Sequence, residues 1–134
     1  MNLTRVFWGA LGLALLVFSI FQSVTYGWAA GAVIIVFAIL PDIALIGAFA
    51  EQGLLRPSRV RFYNLLHTPW IPLVVIAVSF LPWPSLGWGL RGGHEIFLAG
   101  VAWLMHIAVD RALGYGRREA DGSIRPVGAQ KVQA

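Results

Sequence analysis

Apolar residues fill four long runs, about 6–24, 28–50, 62–81 and 94–113, and polar residues collect between them and after Gly116. A helix needs about 20 largely apolar residues to cross a hydrocarbon core roughly 30 Å thick. Inside lipid a helix also satisfies its own backbone hydrogen bonds. The pattern predicts an all-α fold, a four-helix transmembrane bundle over residues 1–116. Residues 117–134 carry Gly, Pro, Gln and mixed charge, which predicts a polar, extended or flexible tail.

Prolines and glycines refine the runs. Pro41 cannot donate to the carbonyl of Phe37, so the second helix is expected to kink there. Glu51 to Arg61 reads as a polar loop. Pro69 and Pro72 fall inside the third run and suggest a bent helix, because bilayer spans tolerate proline where neighbours serve the freed carbonyls. Pro82-Trp83-Pro84 should end that helix, and Gly87 to Gly93 should form the next turn. Gly114 and Gly116 stand where a helix commonly stops. Arg5 ahead of the first run, with Ala30-Gly31-Ala32 after it, has the outline of a signal peptide. Those small residues lie within the second apolar run, however, so the first run is read as a span.

Composition agrees. Of 134 residues 58% are apolar and 12% charged, and the mean hydropathy is +0.75, far above a soluble domain of this length. The net charge of +4 does not imply nucleic acid, since the basic residues are divided among short loops and the tail. Of ten Lys and Arg, only Arg91 falls on one side of the four spans. Arg5, Arg56, Arg59, Arg61, Arg111, Arg117, Arg118, Arg125 and Lys131 share the other, which the positive-inside rule makes cytoplasmic. Both termini are expected there, in the cell inner membrane, with Trp28, Trp83 and Trp88 near the outer interface. The chain has no cysteine, so thiolate ligands and disulfides are excluded.

Ionisable residues do not belong in four anchoring helices, yet Asp42, His67, His106 and Asp110 fall within the second, third and fourth runs. Each costs a few kcal/mol at mid-membrane, so such groups usually face the bundle interior and find partners. Measured from the nearest charged loop residue, Asp42, His67 and His106 sit roughly 9 to 16 Å inside the cytoplasmic boundary, with Asp110 one turn shallower. His106 and Asp110 share a helix face at i, i+4, as do Tyr63, Asn64 and His67. Two imidazoles and two carboxylates at one depth suit Zn²⁺, Mn²⁺ or Fe²⁺, with Tyr63, Asn64 and Arg111 as groups that orient them. For any one of these residues the plainer reading is a polar link between helices, worth about 1 kcal/mol. His94-Glu95 is expected to be solvated at the outer interface, and the Arg56 to Arg61 cluster to serve as a topology signal touching anionic lipid.

Three blocks carry a family resemblance: Pro41-Asp42-Ile43, Tyr63-Asn64-Leu65-Leu66-His67-Thr68, and His106-Ile107-Ala108-Val109-Asp110-Arg111-Ala112-Leu113-Gly114-Tyr115-Gly116. Together they resemble the small bacterial membrane family known as domain of unknown function 4260. The resemblance runs up to Gly116, after which Arg117-Arg118-Glu119 departs from the family's Leu-Lys-Tyr type continuation. It implies a four-helix membrane protein and names no reaction.

Two readings of different classes follow. The first is a metal-dependent membrane hydrolase of a lipidic substrate, with Asp42, His67, His106 and Asp110 on the ion and one carboxylate, Asp42 or Asp110, as general base. The second is a non-enzymatic subunit that holds haem or a pigment through His67 or His106, or packs in a homo-oligomer or larger membrane complex. A proton or ion pathway ranks below both, because no internal repeat supports a transporter.

Overall fold

Helix α1 (Leu3–Tyr26) runs without a break because no proline and no acidic residue interrupts it. Its start is capped by the Asn2 side chain, which accepts from the Arg5 N–H. Phe7, Val17, Phe21 and Val24 point outward, while Gly9 and Gly12 turn toward α5 (Gly93–Leu113), the packing by small residues that brings membrane helices close. Phe18 meets Phe97, and Arg5 Nε donates to the Ala112 carbonyl at 2.8 Å, so α1 and α5 are antiparallel. The computed structural model describes residues 2–85 and 91–128.

Helix α2 (Trp28–Ile39) is followed by a 3₁₀ segment, Leu40–Leu45. Together they form the second of three segments long and apolar enough to cross a membrane, beside α1 and α5. The helix expected to reach Ala50 thus tightens at Pro41 and then gives way to a hairpin, β1 (Phe49–Glu51) against β2 (Leu54–Leu55), turning at Gly53. The third run is divided as well. Helix α3 (Pro57–Leu66) is the more polar piece and takes in Arg59 and Arg61, which the sequence placed in a loop. His67-Thr68-Pro69 then breaks the chain before α4 (Trp70–Val78), because Pro69 drives Thr68 out of helical geometry. At nine residues, about 13.5 Å, α4 is too short to span alone.

The chain nevertheless runs along the bundle four times, for α4 climbs beside α5 from the end where α5 stops to the end where it begins. Gly100 faces Pro72 and Ile76, and Gly93 faces Ser79. The bundle expected as all-α is mostly helical, with the third leg broken rather than bent and a small two-stranded sheet added. Helix α5 is its axis: eleven of its residues are buried, from Glu95 to Ala108. It ends at Gly114, left-handed at φ 101°, with Tyr115 N–H on the Asp110 carbonyl and Gly114 N–H on that of Arg111. The turn expected over Gly87–Gly93 and the interfacial Trp88 lie largely outside the described residues.

A Cβ at Gly100 would stand 2.6 Å from Ile76 Cγ1 and 2.9 Å from the Pro72 carbonyl. Gly100→Ala is therefore expected to lower stability by about 1–3 kcal/mol, as overpacking does. Leu13→Ala on the outward side of α1 should stay within about 0.5 kcal/mol. Unfolding of both variants in detergent checks this.

The tail differs most from expectation. Residues 117–128 fold back onto the bundle: Arg118 pairs with Ile124 as a β-bridge, Leu55 N–H donates to the Gly122 carbonyl at 3.1 Å, and Asn2 Nδ2 donates to that of Val127. Ser123 donates its hydroxyl and its N–H to Asp121, which holds that carboxyl below the usual carboxylate range.

Candidate metal centre

Breaks in the helices build the site. In an α-helix the Ala38 carbonyl would take the N–H of residue 42, and in the tighter 3₁₀ spacing that of residue 41, but Pro41 has none. His106 Nδ1 donates to this carbonyl instead, at 2.8 Å. Where α3 ends, Trp103 Nε1 donates to the Leu66 carbonyl at 2.7 Å and Arg111 to that of His67 at 2.9 Å. Each freed acceptor is served by a side chain from α5, as buried backbone requires. The same breaks turn Asp42 and His67 toward α5.

His67 and His106 then share one property. His67 Nδ1 lies 2.9 Å from the Tyr63 carbonyl and His106 Nδ1 bonds that of Ala38, so in each ring Nδ1 carries a proton and Nε2 is the atom free to offer a lone pair to a ligand. Both Nε2 atoms are buried without a hydrogen-bond partner. They face the two carboxylates: His67 Nε2 is 3.8 Å from Asp42 Oδ1 and 3.5 Å from Asp110 Oδ2, and His106 Nε2 is 3.5 Å from each of the same oxygens. These separations are too long for hydrogen bonds. They are close to the spacing of about 3.3–3.4 Å between donors held tetrahedrally at 2.0–2.1 Å from one ion. All four donor atoms lie within 4.8 Å of one another, so the group can hold a metal ion.

Depth alone had placed these four residues in one layer, and they do meet. Tyr63 stacks on His67 with ring centroids 3.9 Å apart, and Arg111 donates to the His67 carbonyl, so both lie beside the cluster. Asn64 does not. Its side chain grips the backbone of Arg118 from both sides, accepting at 2.7 Å and donating at 2.9 Å. Arg118, which the sequence reading passed over except as a positive charge, is buried with its guanidinium 5.3 Å from the Tyr63 ring centre, donating to the carbonyls of Gly53 and Gly122. No helical periodicity marks it, since its partners are distant in sequence.

The site is open on one side. Asp42 is 48% exposed while His67 is 3%, and a cavity of ≈ 270 Å³ bounded by Asp42, Tyr63, Asp110, Tyr115 and Arg118 reaches the carboxylates.

A family model described as Domain of unknown function (DUF4260) matches residues 7–124. The chain belongs to this family. The DUF4260 match reaches past Gly116, into the segment where the sequence reading placed a departure, and it includes Arg118 and Gly122, which close the site's end. No curated protein and no solved structure matches the chain. The DUF4260 description names no reaction. With three helical segments long and apolar enough to cross a bilayer, it is a membrane protein.

At the opposite end of the bundle, His94-Glu95 is not solvated as expected. Glu95 is buried and accepts from the Arg91 N–H. His94 Nε2 lies 3.0 Å from Gln22 Oε1, with the Tyr26 ring against it at 4.4 Å. These contacts fasten the start of α5 to the end of α1.

Proposed function

We propose that this protein is a divalent-metal-dependent membrane hydrolase acting on a lipidic substrate. The observation that carries the reading is the pair of buried Nε2 lone pairs, each fixed in tautomer by a backbone carbonyl and each facing two carboxylate oxygens with no donor between them. These groups are mutually repulsive unless a proton on an imidazole or a metal ion joins them, and at 3.5 to 3.8 Å the carboxylates stand too far from either Nε2 for a proton to bridge well. An all N and O donor set suits Zn²⁺, Mn²⁺ or Fe²⁺.

His67, His106 and Asp110 would hold the ion, with Asp42, the exposed member of the set, as the ligand that can give way to water. When bound, the ion would polarise a substrate oxygen and lower the pKa of that water. Asp42, half exposed toward the cavity, takes the proton from the attacking water through a carboxylate oxygen. The new oxygen bond forms at the carbonyl or phosphoryl centre, the ester bond breaks, and the same carboxyl returns the proton to the leaving alcohol. Arg5, Arg56, Arg59, Arg61, Arg111, Arg117, Arg118 and Arg125 gather at the site's end of the bundle, which supports an orientation with this end and both termini at the cytoplasmic face of the inner membrane, and four crossings. Substrate then arrives from the inner leaflet.

Haem fits poorly. His67 and His106 meet edge to face with centroids 5.4 Å apart, and the two carboxylates fill the space a porphyrin ring needs between them.

Metal content of detergent-purified wild type, measured by inductively coupled plasma mass spectrometry, is expected to be about one ion of Zn, Mn or Fe per chain, and to fall to background in His67→Ala and His106→Ala. Metal-free wild type of full stability would sink the hydrolase and turn attention to a structural subunit of a larger membrane complex.

A further inference from the structure

A second cavity, of ≈ 370 Å³, lies beside the metal centre and is separate from the one that reaches Asp42. Its walls include Arg111, Arg117 and Arg125, with Trp8, Trp70 and Thr68. No carboxylate among the described residues lines it. Glu119 pairs with Arg125 through both carboxylate oxygens and offsets one charge. Arg111 spends one nitrogen on the His67 carbonyl, and no ion pair of Arg117 is present among the described residues.

Converging guanidinium groups destabilise one another unless an anion lies between them, and guanidinium matches a phosphate oxyanion in shape and in donor number. The volume falls within the ordinary range for small-ligand sites. Position narrows the ligand further. The cavity lies where α1 begins and α5 ends, and Trp70 is 73% exposed at its rim, the amphipathic placement typical of the level of lipid headgroups.

We propose that this cavity binds a phosphate oxyanion, carried by an anionic phospholipid headgroup or free in solution. The site uses none of the four metal-binding residues and stands whether or not the hydrolase reading does. It differs from a general attraction of positive loops to anionic lipid, because it requires particular arginines at a concave surface.

Native mass spectrometry of the full chain in detergent tests it, with phosphatidic acid, phosphatidylcholine and inorganic phosphate as probes. Wild type is expected to retain one phosphatidic acid at least about tenfold more tightly than phosphatidylcholine, the loss of one charge-assisted contact being worth roughly that factor. Arg117→Gln and Arg125→Gln should each erase about tenfold, while Arg59→Gln, exposed on α3 outside the cavity, should change little. If inorganic phosphate displaces the lipid saturably, the oxyanion alone is the ligand; if it does not while the arginine dependence holds, the lipid headgroup is. Equal retention of both lipids, or equal loss in all three variants, overturns the proposal and leaves these arginines as a diffuse electrostatic surface.

Discussion

Chelator is expected to lower the melting temperature of the wild-type protein by on the order of 10 °C and to leave His67→Ala unmoved. An ion held at a thousand times its dissociation constant stabilises the folded state by about 4.1 kcal/mol, and for a chain of this length each kcal/mol corresponds to a few degrees. His67→Ala removes one of four donors, while the Tyr63 carbonyl keeps the backbone N–H of residue 67. Its metal affinity should fall on the order of 100-fold or more, since even groups that only orient ligands are worth 10- to 100-fold. Asp110→Asn separates charge from shape. It keeps the volume, weakens the ion's hold, and should likewise blunt the response to chelator. If the four residues were only polar links between helices, each substitution would lower stability with and without chelator alike, and chelator would do nothing to wild type. Differential scanning fluorimetry of the three proteins, with and without chelator, separates the two cases.

What could be read in the sequence depended on whether its cause was local. Helices α1 and α5 follow from uninterrupted apolar runs, and Gly114 marks the end of α5 by its left-handed geometry. His106 and Asp110 share a face because i and i+4 always do. Asp42 and His67 could be put at the same depth by counting residues, although their meeting depends on the breaks at Pro41 and Pro69. Those breaks were the hard part. Proline in a membrane helix either bends it or ends it, and the outcome rests on which neighbours serve the freed carbonyls. Here Trp103, His106 and Arg111 do so, from a helix tens of residues away. The hairpin was hidden for a similar reason. The apolar stretch Ile43 to Ala50 suits a helix as well as a strand, and Gly53 is its main local signal. The fold of the tail was least legible, because Arg118 is held by Asn64, Gly53 and Gly122 through contacts that no spacing announces.

Gly122→Ala is expected to release that tail, speeding tryptic cleavage after Arg117 and Arg118 at least about tenfold. Gly122 is left-handed at φ 93°, and a Cβ there would come within 1.8 Å of the Leu55 carbonyl oxygen. The left-handed conformation alone costs an alanine about 1–2 kcal/mol. The clash adds to it, for the Leu55 carbonyl belongs to the backbone of β2 and cannot swing aside as a side chain would. Moving either strand breaks the bond from Leu55 N–H to the Gly122 carbonyl and loosens Arg118, which donates to the carbonyls of Gly53 and Gly122. Cleavage of a segment that opens and recloses quickly tracks its opening free energy, so a loss of about 1.4 kcal/mol already gives tenfold. Gly27→Ala isolates the strain of positive φ, since Gly27 sits at φ 81° with nothing within 4 Å of its missing Cβ. It should lower overall stability without exposing the tail. Because the four donors come from the 3₁₀ segment, the end of α3 and from α5, metal content in Gly122→Ala should survive while the Arg118 side of the cavity opens. Parallel loss of metal and of tail protection would mean that the tail itself holds the centre together.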